Sequence, residues 1–93
     1  MTSHPVYKLI AMITVKLFAS LAKTAAENIG GEITQYPFEQ GDTIDSIIAR
    51  ANLGHKNLHL VILNGVYINK EERATKQLCD EDVLAFWPPV VGG

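Results

Sequence analysis

The sequence lacks the residues that several common kinds of functional site require. It has one cysteine, Cys79, which excludes an internal disulfide, a cysteine-based metal cage and a four-cysteine iron–sulfur cluster. A single thiol fits the reducing cytoplasm, where we expect the protein to work. His55 and His59 are four residues apart, but the break at Gly54 keeps them off a common helix face. The sequence therefore predicts no metal site.

Basic clusters and uninterrupted apolar runs are also missing. Eight Lys and Arg residues are outnumbered by ten Asp and Glu residues, which gives a formal net charge of −2. Because nucleic-acid binders usually carry a basic stripe, we expect no nucleic acid among the partners. The apolar run over residues 9–22 is interrupted by Lys16 and alternates as a strand does, so neither a signal peptide nor a membrane span is predicted.

What is present indicates one small domain. Ninety-three residues, of which 47% are hydrophobic, suffice for a single modest core. Residues 1–8 are polar and contain Pro5, and residues 1–10 are predicted to form an N-terminal extension. Residues 11–87 carry the strand and helix patterns, and residues 88–93 are predicted to form an extended tail.

The first third of the chain predicts two strands and a short helix. Residues 11–18 alternate in polarity, with Ile13, Val15 and Leu17 on one face. Residues 19–29 are consistent with a short helix that ends at Gly30. Residues 32–38 predict a second strand, and Pro37 confines it to a sheet edge because proline has no N–H to donate.

The strongest helix signal follows Gly41. Its apolar residues have the i, i+3, i+4, i+7 spacing of one helix face and are Ile44, Ile47, Ile48 and Ala51. Asp42 is the first candidate for the N-cap, with Asp45 three residues on, and Thr43 with Ser46 is the alternative. The helix is predicted to end at Gly54.

The remaining strands complete a recognisable order. Residues 58–63 form an apolar strand, Asn64-Gly65 is a strong hairpin turn into residues 66–68, and residues 69–78 form a polar crossover. Residues 82–87 are the last strand. We predict an α+β fold of the β-grasp, ubiquitin-like kind, with a four- to five-stranded mixed sheet and one main helix across one face. The first and last strands are expected to lie parallel at its centre.

The end of the sequence is the most distinctive stretch. It reads Phe86-Trp87-Pro88-Pro89-Val90-Val91-Gly92-Gly93. Two glycines without Cβ atoms can pass through a slot too narrow for side chains, and two prolines restrict the preceding stem to extended conformations. We therefore expect the carboxylate of Gly93 to be the reactive group.

Several motifs together resemble a known family, the ubiquitin-like sulfur carriers. This family includes the small subunit of molybdopterin synthase and the sulfur carrier of the thiazole pathway. The resemblance rests on Asn64-Gly65 after an apolar strand, on Leu78, Asp80 and Asp82, and on the closing run from Leu84 to Gly93. The aromatic, the two prolines and the diglycine point to the molybdopterin branch. The chain departs from the family at Glu81, where a glycine is common, and in residues 1–10, which have no counterpart.

The resemblance implies a carrier rather than an enzyme. An E1-like activating enzyme, using ATP and magnesium, would adenylate the carboxylate of Gly93, next to Gly92. Sulfur from a donor protein would then replace AMP and leave a thiocarboxylate. Its sulfur would pass to the larger catalytic subunit of molybdopterin synthase or to another acceptor. The chain itself is expected to bind no cofactor.

A partner must approach the tail, and the sequence suggests where. If Leu84 and Phe86 face the core, Trp87 faces the opposite side of the sheet, beside the stem. On the third strand, either the Leu60 and Ile62 pair or the Val61 and Leu63 pair must face away from the helix. The predicted partner-binding residues are Phe86, Trp87, Pro88, Pro89, Val90, Val91, Leu60 and Ile62.

Three other functions remain open at this point. The protein could carry sulfur in the thiazole pathway, or be a modifier that is conjugated through Gly93 to lysines of other proteins. It could also be a β-grasp binding module without tail chemistry. Cys79 and the acidic residues 80–82 are interpreted as parts of a solvated turn.

Overall fold

The protein is a mixed five-stranded sheet with its main helix on one face, as predicted. A computed structural model describes residues 11–54, 56 and 58–89. The elements are β1 (Ala11–Leu17), α1 (Leu21–Thr24), α2 (Ala26–Ile29), β2 (Ile33–Phe38), α3 (Ile44–Arg50), β3 (Leu60–Leu63), β4 (Val66–Tyr67), a 3-10 helix (Glu71–Ala74) and β5 (Val83–Trp87). The predicted extension over residues 1–10 lies outside the described residues.

The sheet has the strand order β2-β1-β5-β3-β4. Its central strands β1 and β5 are parallel, with Leu17 opposite Phe86, while β2 and β3 pair antiparallel on either side. The predicted parallel centre is confirmed. β2 is an edge strand, as Pro37 requires, and the C=O of Pro37 accepts a hydrogen bond from Nη2 of Arg50 at 3.2 Å.

The core lies between this sheet and α3. Alternate residues of the strands and one stripe of the helix supply its largest fully buried side chains, which are Phe86, Ile13, Ile44, Ile47, Ile48, Leu84, Val15 and Val61. The period-two and helical patterns of the sequence therefore point to the same interior. Each such aliphatic side chain contributes about 1.5–3 kcal/mol when it is buried.

The main helix begins after Thr43, the alternative frame, rather than after Asp42. Oγ1 of Thr43 accepts from the N–H of Ser46 at 3.2 Å, and Oγ of Ser46 accepts from the N–H of Thr43 at 2.6 Å. This reciprocal pair is a capping box. Asp42 instead forms a salt bridge with Arg50 at 2.8 Å. The hydrogen bond from Arg50, with a second from the N–H of Glu39, holds the pKa of the Asp42 carboxyl below its ordinary value.

The prediction of one continuous helix over residues 19–29 was wrong. Two four-residue helices replace it, because Ala25 has φ −123° and ψ −5° and breaks the helical path between them. Leu21, Ala25 and Ile29 are nevertheless buried, so the helical spacing of these apolar residues was sound. The segment ends at Gly30, whose φ of 99° is in the left-handed region that glycine tolerates.

The second half of the chain differs from the prediction at strand ends. β3 begins at Leu60 and not at residue 58, and β4 ends at Tyr67, although Ile68 is buried and its N–H donates to the C=O of Val61 at 2.9 Å. The hairpin turn is confirmed, because Asn64 and Gly65 have φ of 51° and 84°, as a type I′ turn requires. The crossover predicted over residues 69–78 contains the 3-10 helix.

Candidate functional site

β5 delivers the end of the chain from the middle of the sheet. The C=O of Phe86 accepts from the N–H of Phe18 at 3.1 Å, and the C=O of Trp87 accepts from the N–H of His59 at 2.7 Å. The backbone of β5 is therefore held from the β1 side as far as Phe86 and from the β3 side as far as Trp87, its last residue. Pro88 is half-buried and Pro89 is exposed, and neither is in a strand or helix. The tail thus begins at a fixed point and in a fixed direction.

The four residues beyond Pro89 lie outside the described residues. They are Val90, Val91, Gly92 and Gly93, and their predicted roles in partner binding and chemistry stay predictions.

Trp87 lies at the point where the tail leaves the sheet, and it is stacked on Phe18. The two ring centroids are 4.2 Å apart and the ring planes differ by 3°. Trp87 is half-buried, and Phe18 is 37% exposed. The sequence reasoning missed Phe18. It could have been found, because parallel pairing of Leu17 with Phe86 places the next residue of each strand side by side.

The structure also decides which pair of β3 residues faces away from α3. Val61 and Leu63 are buried in the core, whereas Leu60 and Ile62 are half-buried on the opposite face. Leu60 lies opposite Trp87 in the pairing of β3 with β5. The face of the sheet away from α3 is called the open face below. The six residues that form its apolar patch beside the tail are Phe18, Leu60, Ile62, Tyr67, Ala85 and Trp87.

The prediction that the Phe86 side chain binds a partner was wrong. Its side chain has no exposed surface and is among the largest fully buried ones, so it cannot contact a partner. Because successive residues of a strand point to opposite faces, Phe86 and Trp87 divide two roles. Phe86 anchors β5 in the core, while Trp87 belongs to the open-face patch.

The acidic turn before β5 is more than a solvated loop. Oδ1 of Asp82 accepts from Nδ2 of Asn64 at 2.8 Å, and Oδ2 of Asp82 accepts from the N–H of Cys79 at 2.8 Å. Oδ1 of Asn64 in turn accepts from the N–H of Val83 at 2.8 Å. Oδ1 of Asp80 accepts from the N–H of Met12 at 3.0 Å. These bonds tie the start of β5 to the hairpin turn and to β1, which fixes the register of the strand that carries the tail.

Glu81 occupies the position in this turn where the resemblance leads us to expect a glycine, and its backbone conformation is one that favours glycine. Its φ is 72°, in the left-handed region where a side chain usually costs about 1 kcal/mol or more. The N–H of Glu81 donates to the C=O of Met12 at 2.7 Å. The turn therefore holds a non-glycine residue in a left-handed conformation, tied to β1 by this hydrogen bond.

The described part of the chain was compared with what a metal site and a membrane span require. Over residues 11–54, 56 and 58–89, no three His, Cys, Asp or Glu side chains are grouped so that they could hold a metal ion. Within the same residues, no helix has the length and apolar character to cross a membrane.

The chain is similar to a known protein family and to several solved structures. The model of the ThiS family matches residues 15–93. No curated protein matches the chain. Among solved structures, the chain is similar to the HVO 2177 protein of Haloferax volcanii, with 19% identity, 98% of this chain and 94% of that chain covered, and a TM-score of 0.63.

Two other solved structures are similar over almost their whole length. SAMP1 of Haloferax volcanii is 23% identical, with 88% of this chain and 99% of that chain covered and a TM-score of 0.63. A putative molybdopterin converting factor, subunit 1, of Pyrococcus furiosus is 22% identical, with 86% and 99% covered and a TM-score of 0.58. At these identities the likeness shows the β-grasp fold.

Proposed function

This chain belongs to the ThiS family of ubiquitin-like small proteins, and on that premise we propose that it carries sulfur on the carboxylate of Gly93. The sulfur is used in molybdopterin synthesis, for the molybdenum or tungsten cofactor. One observation carries the proposal. β5 is held from the β1 side as far as Phe86 and from the β3 side as far as Trp87, and it runs directly into Pro88 and Pro89, beside an apolar patch on the open face.

The carboxylate of Gly93 is a poor electrophile until one of its oxygens becomes part of a good leaving group. An oxygen of the Gly93 carboxylate attacks the α-phosphorus of ATP in the activating enzyme, and pyrophosphate leaves. The acyl adenylate then has AMP as a good leaving group. The terminal sulfur of a persulfide on a donor protein attacks the carbonyl carbon and expels AMP, which gives an acyl disulfide. A second thiol then attacks the donor's sulfur, the S–S bond breaks, the thiocarboxylate leaves, and the donor cysteine and that thiol are left as a disulfide. The activating enzyme supplies the nucleotide site and magnesium, so this chain needs no acid, base or metal ligand of its own.

In this proposal the chain contributes position rather than catalysis. Pro88 and Pro89 stiffen the stem, which reduces the entropy lost when the tail enters a pocket. Gly92 and Gly93 allow the backbone to pass a narrow channel. The sheet fixes where the stem starts, because β5 pairs with β1 on one side and β3 on the other.

The open-face patch is the proposed docking surface for the activating enzyme and, after it, for the sulfur acceptor. Trp is a frequent anchor at protein interfaces, and this one lies at the exit of the tail. Phe18 supports the Trp87 ring from the side of β1. A partner that covers this patch has the stem beside it and needs no change in the fold of the carrier.

Trp87→Ala is expected to weaken docking more than folding. The KM of the activating enzyme for this protein should rise about tenfold or more, with kcat within about threefold, because a central aromatic anchor is lost. The free energy of unfolding should fall by about 1–2 kcal/mol, from the lost stacking and apolar burial. ATP–pyrophosphate exchange measures the first quantity and urea denaturation the second.

Val66→Ala is the matched control for that variant. Val66 is a large apolar residue with an exposed side chain, but it pairs with buried Leu63 and therefore lies on the other face of the hairpin. Its KM should equal that of the unmodified protein. An unchanged KM in Trp87→Ala would remove the open-face patch from the docking surface.

Intact-mass measurement of the protein isolated from its native cells tests the proposed function. A fraction heavier by the difference between one sulfur and one oxygen atom, located to Gly93 by fragmentation, is the expected result. Adducts that join Gly93 to lysines of other proteins would identify a modifier instead. If neither form appears with the native activating enzyme and ATP present, the chain is a binding module. Adding the larger subunit of molybdopterin synthase or the thiazole-forming enzyme to the thiocarboxylate distinguishes the two carrier branches.

A further inference from the structure

The open face carries a single charged residue among its strand positions. Pairing and burial place twelve strand residues on this face, which are Met12, Thr14 and Lys16 of β1, Ile33, Gln35 and Pro37 of β2, Leu60 and Ile62 of β3, Tyr67 of β4, and Val83, Ala85 and Trp87 of β5. Eleven of these side chains are uncharged, and Lys16 is the exception. The chain as a whole is acidic, with ten Asp and Glu residues. A lone cation in the middle of this face is therefore a local feature that net charge does not explain.

Lys16 occupies an interior position of the sheet. It lies opposite Ala85 of β5 on one side and opposite Ile33 of β2 on the other. Its chain neighbours Val15 and Leu17 are buried in the core, so the Lys16 side chain is directed to the open face, where it is half-buried. No described residue within reach forms a salt bridge or hydrogen bond with its ammonium group. The charge is thus available to a second molecule.

A protein that covers this face also covers the Lys16 ammonium group and must compensate its charge. Enclosing an ammonium group without an anionic partner costs far more than a hydrophobic contact returns. A partner surface that is only apolar would therefore be rejected, whereas an apolar surface with one correctly placed carboxylate would be accepted. Because Lys16 lies towards β2 and not at the centre of the patch, the pair would also fix the rotation of the partner relative to the tail.

We propose that Lys16 is a specificity-determining contact for the activating enzyme, whose docking surface is apolar and carries an Asp or Glu carboxylate over the Lys16 ammonium group. This inference rests on the proposed function, since it names the partner chemistry of the same site. The ion pair orients the enzyme so that the stem enters its channel. Lys16 does not touch the reacting atoms and is a positioning residue.

The test uses ATP–pyrophosphate exchange with the native activating enzyme at low and physiological ionic strength. Lys16→Met keeps the length and apolar stem of the side chain but removes the charge. Its KM is expected to rise about tenfold at low salt with kcat unchanged, and the salt dependence of KM should become flatter. Lys16→Glu should raise KM by about a hundredfold, and Lys16→Arg should restore it to within about threefold of the unmodified protein. Melting temperatures of the variants show that each one folds.

Lys70→Met is the matched control, because it makes the same change in net charge at an exposed position in the crossover, off the open face. It should leave KM and its salt dependence unchanged. If Lys16→Met has the KM of the unmodified protein, the inference is wrong. If it also self-associates, the role of Lys16 is to keep the open faces of two copies apart. If the unmodified protein is not adenylated at all, the proposed function fails instead, and the two failures are thereby distinguished.

Discussion

Removal of Gly93 is expected to abolish adenylation while leaving the fold intact. The shortened chain ends in the carboxylate of Gly92, which reaches about 3.5 Å less far along an extended stem. A misplacement of about 1 Å can already cost a hundredfold in rate, so exchange of pyrophosphate into ATP should fall at least a thousandfold. No thiocarboxylate should be detected by intact mass.

The melting temperature should change by less than about 2 °C, because substitutions away from core features rarely exceed about 0.5 kcal/mol. Among the described residues, the last fully buried side chain of β5 is Phe86, three positions before Pro89. Gly93→Ala is the control, since it keeps the carboxylate in place and adds one Cβ. It should fold normally and lose activity only to the extent that the channel excludes the methyl group. Activity retained after deletion, or a large drop in melting temperature, would contradict the proposed role of the tail.

Phe86→Ala is expected to have the largest effect on stability. Phe86 has no exposed surface and lies between Leu17 of β1 and Val61 of β3 at the centre of the sheet. Truncation of a buried Phe to Ala typically costs about 3–5 kcal/mol, which is a large part of the stability of a small domain. Urea denaturation followed by the fluorescence of Trp87, the only tryptophan, measures the loss.

Phe86→Leu separates the lost volume from the lost ring. It keeps most of the apolar volume and should cost less than about 1.5 kcal/mol. Together with Trp87→Ala, these variants should separate the roles of the two neighbouring aromatic residues. Truncation of Phe86 should lower the free energy of unfolding strongly, whereas truncation of Trp87 should mainly raise KM. A Phe86→Ala protein that stays stable but docks poorly would restore Phe86 to the partner-binding set and would refute the assignment from burial.

The sequence predicted the architecture because its signals are local. The alternation in β1, the apolar stripe of α3 and the Asn64-Gly65 turn each follow from a few neighbouring residues. Pro37 added a topological constraint, since it could occupy only an edge strand. These features together left few arrangements other than a β-grasp.

Errors arose where two local patterns competed or where a distant residue decided. Asp42 and Thr43 both fitted the N-cap pattern, and the ion pair of Asp42 with Arg50 left the cap to Thr43. The break at Ala25 has no marker in the sequence. Phe86 and Trp87 were grouped as partner contacts because both belong to one distinctive motif, although strand alternation already separates them.

The site was only partly readable for the same reason. The stack of Phe18 on Trp87 and the bond between Asn64 and Asp82 join residues that are distant along the chain, so no short window contains them. They become visible once the parallel pairing of β1 with β5 is known. The tail motif, by contrast, can be recognised from the sequence alone, because its aromatic residues, prolines and glycines lie within one short stretch.

The parallel pairing of β1 and β5 also has a mechanical consequence. Because the two strands run in the same direction, the first residue of β1, Ala11, and the stem after Trp87 lie at opposite ends of the sheet. A pull on the stem therefore acts along β5 and loads its hydrogen bonds to β1 and β3 together, in shear, rather than opening them one after another. Loading in shear shares the force among all of these hydrogen bonds, so the domain should resist a pull on the tail more strongly than strands whose bonds break in sequence.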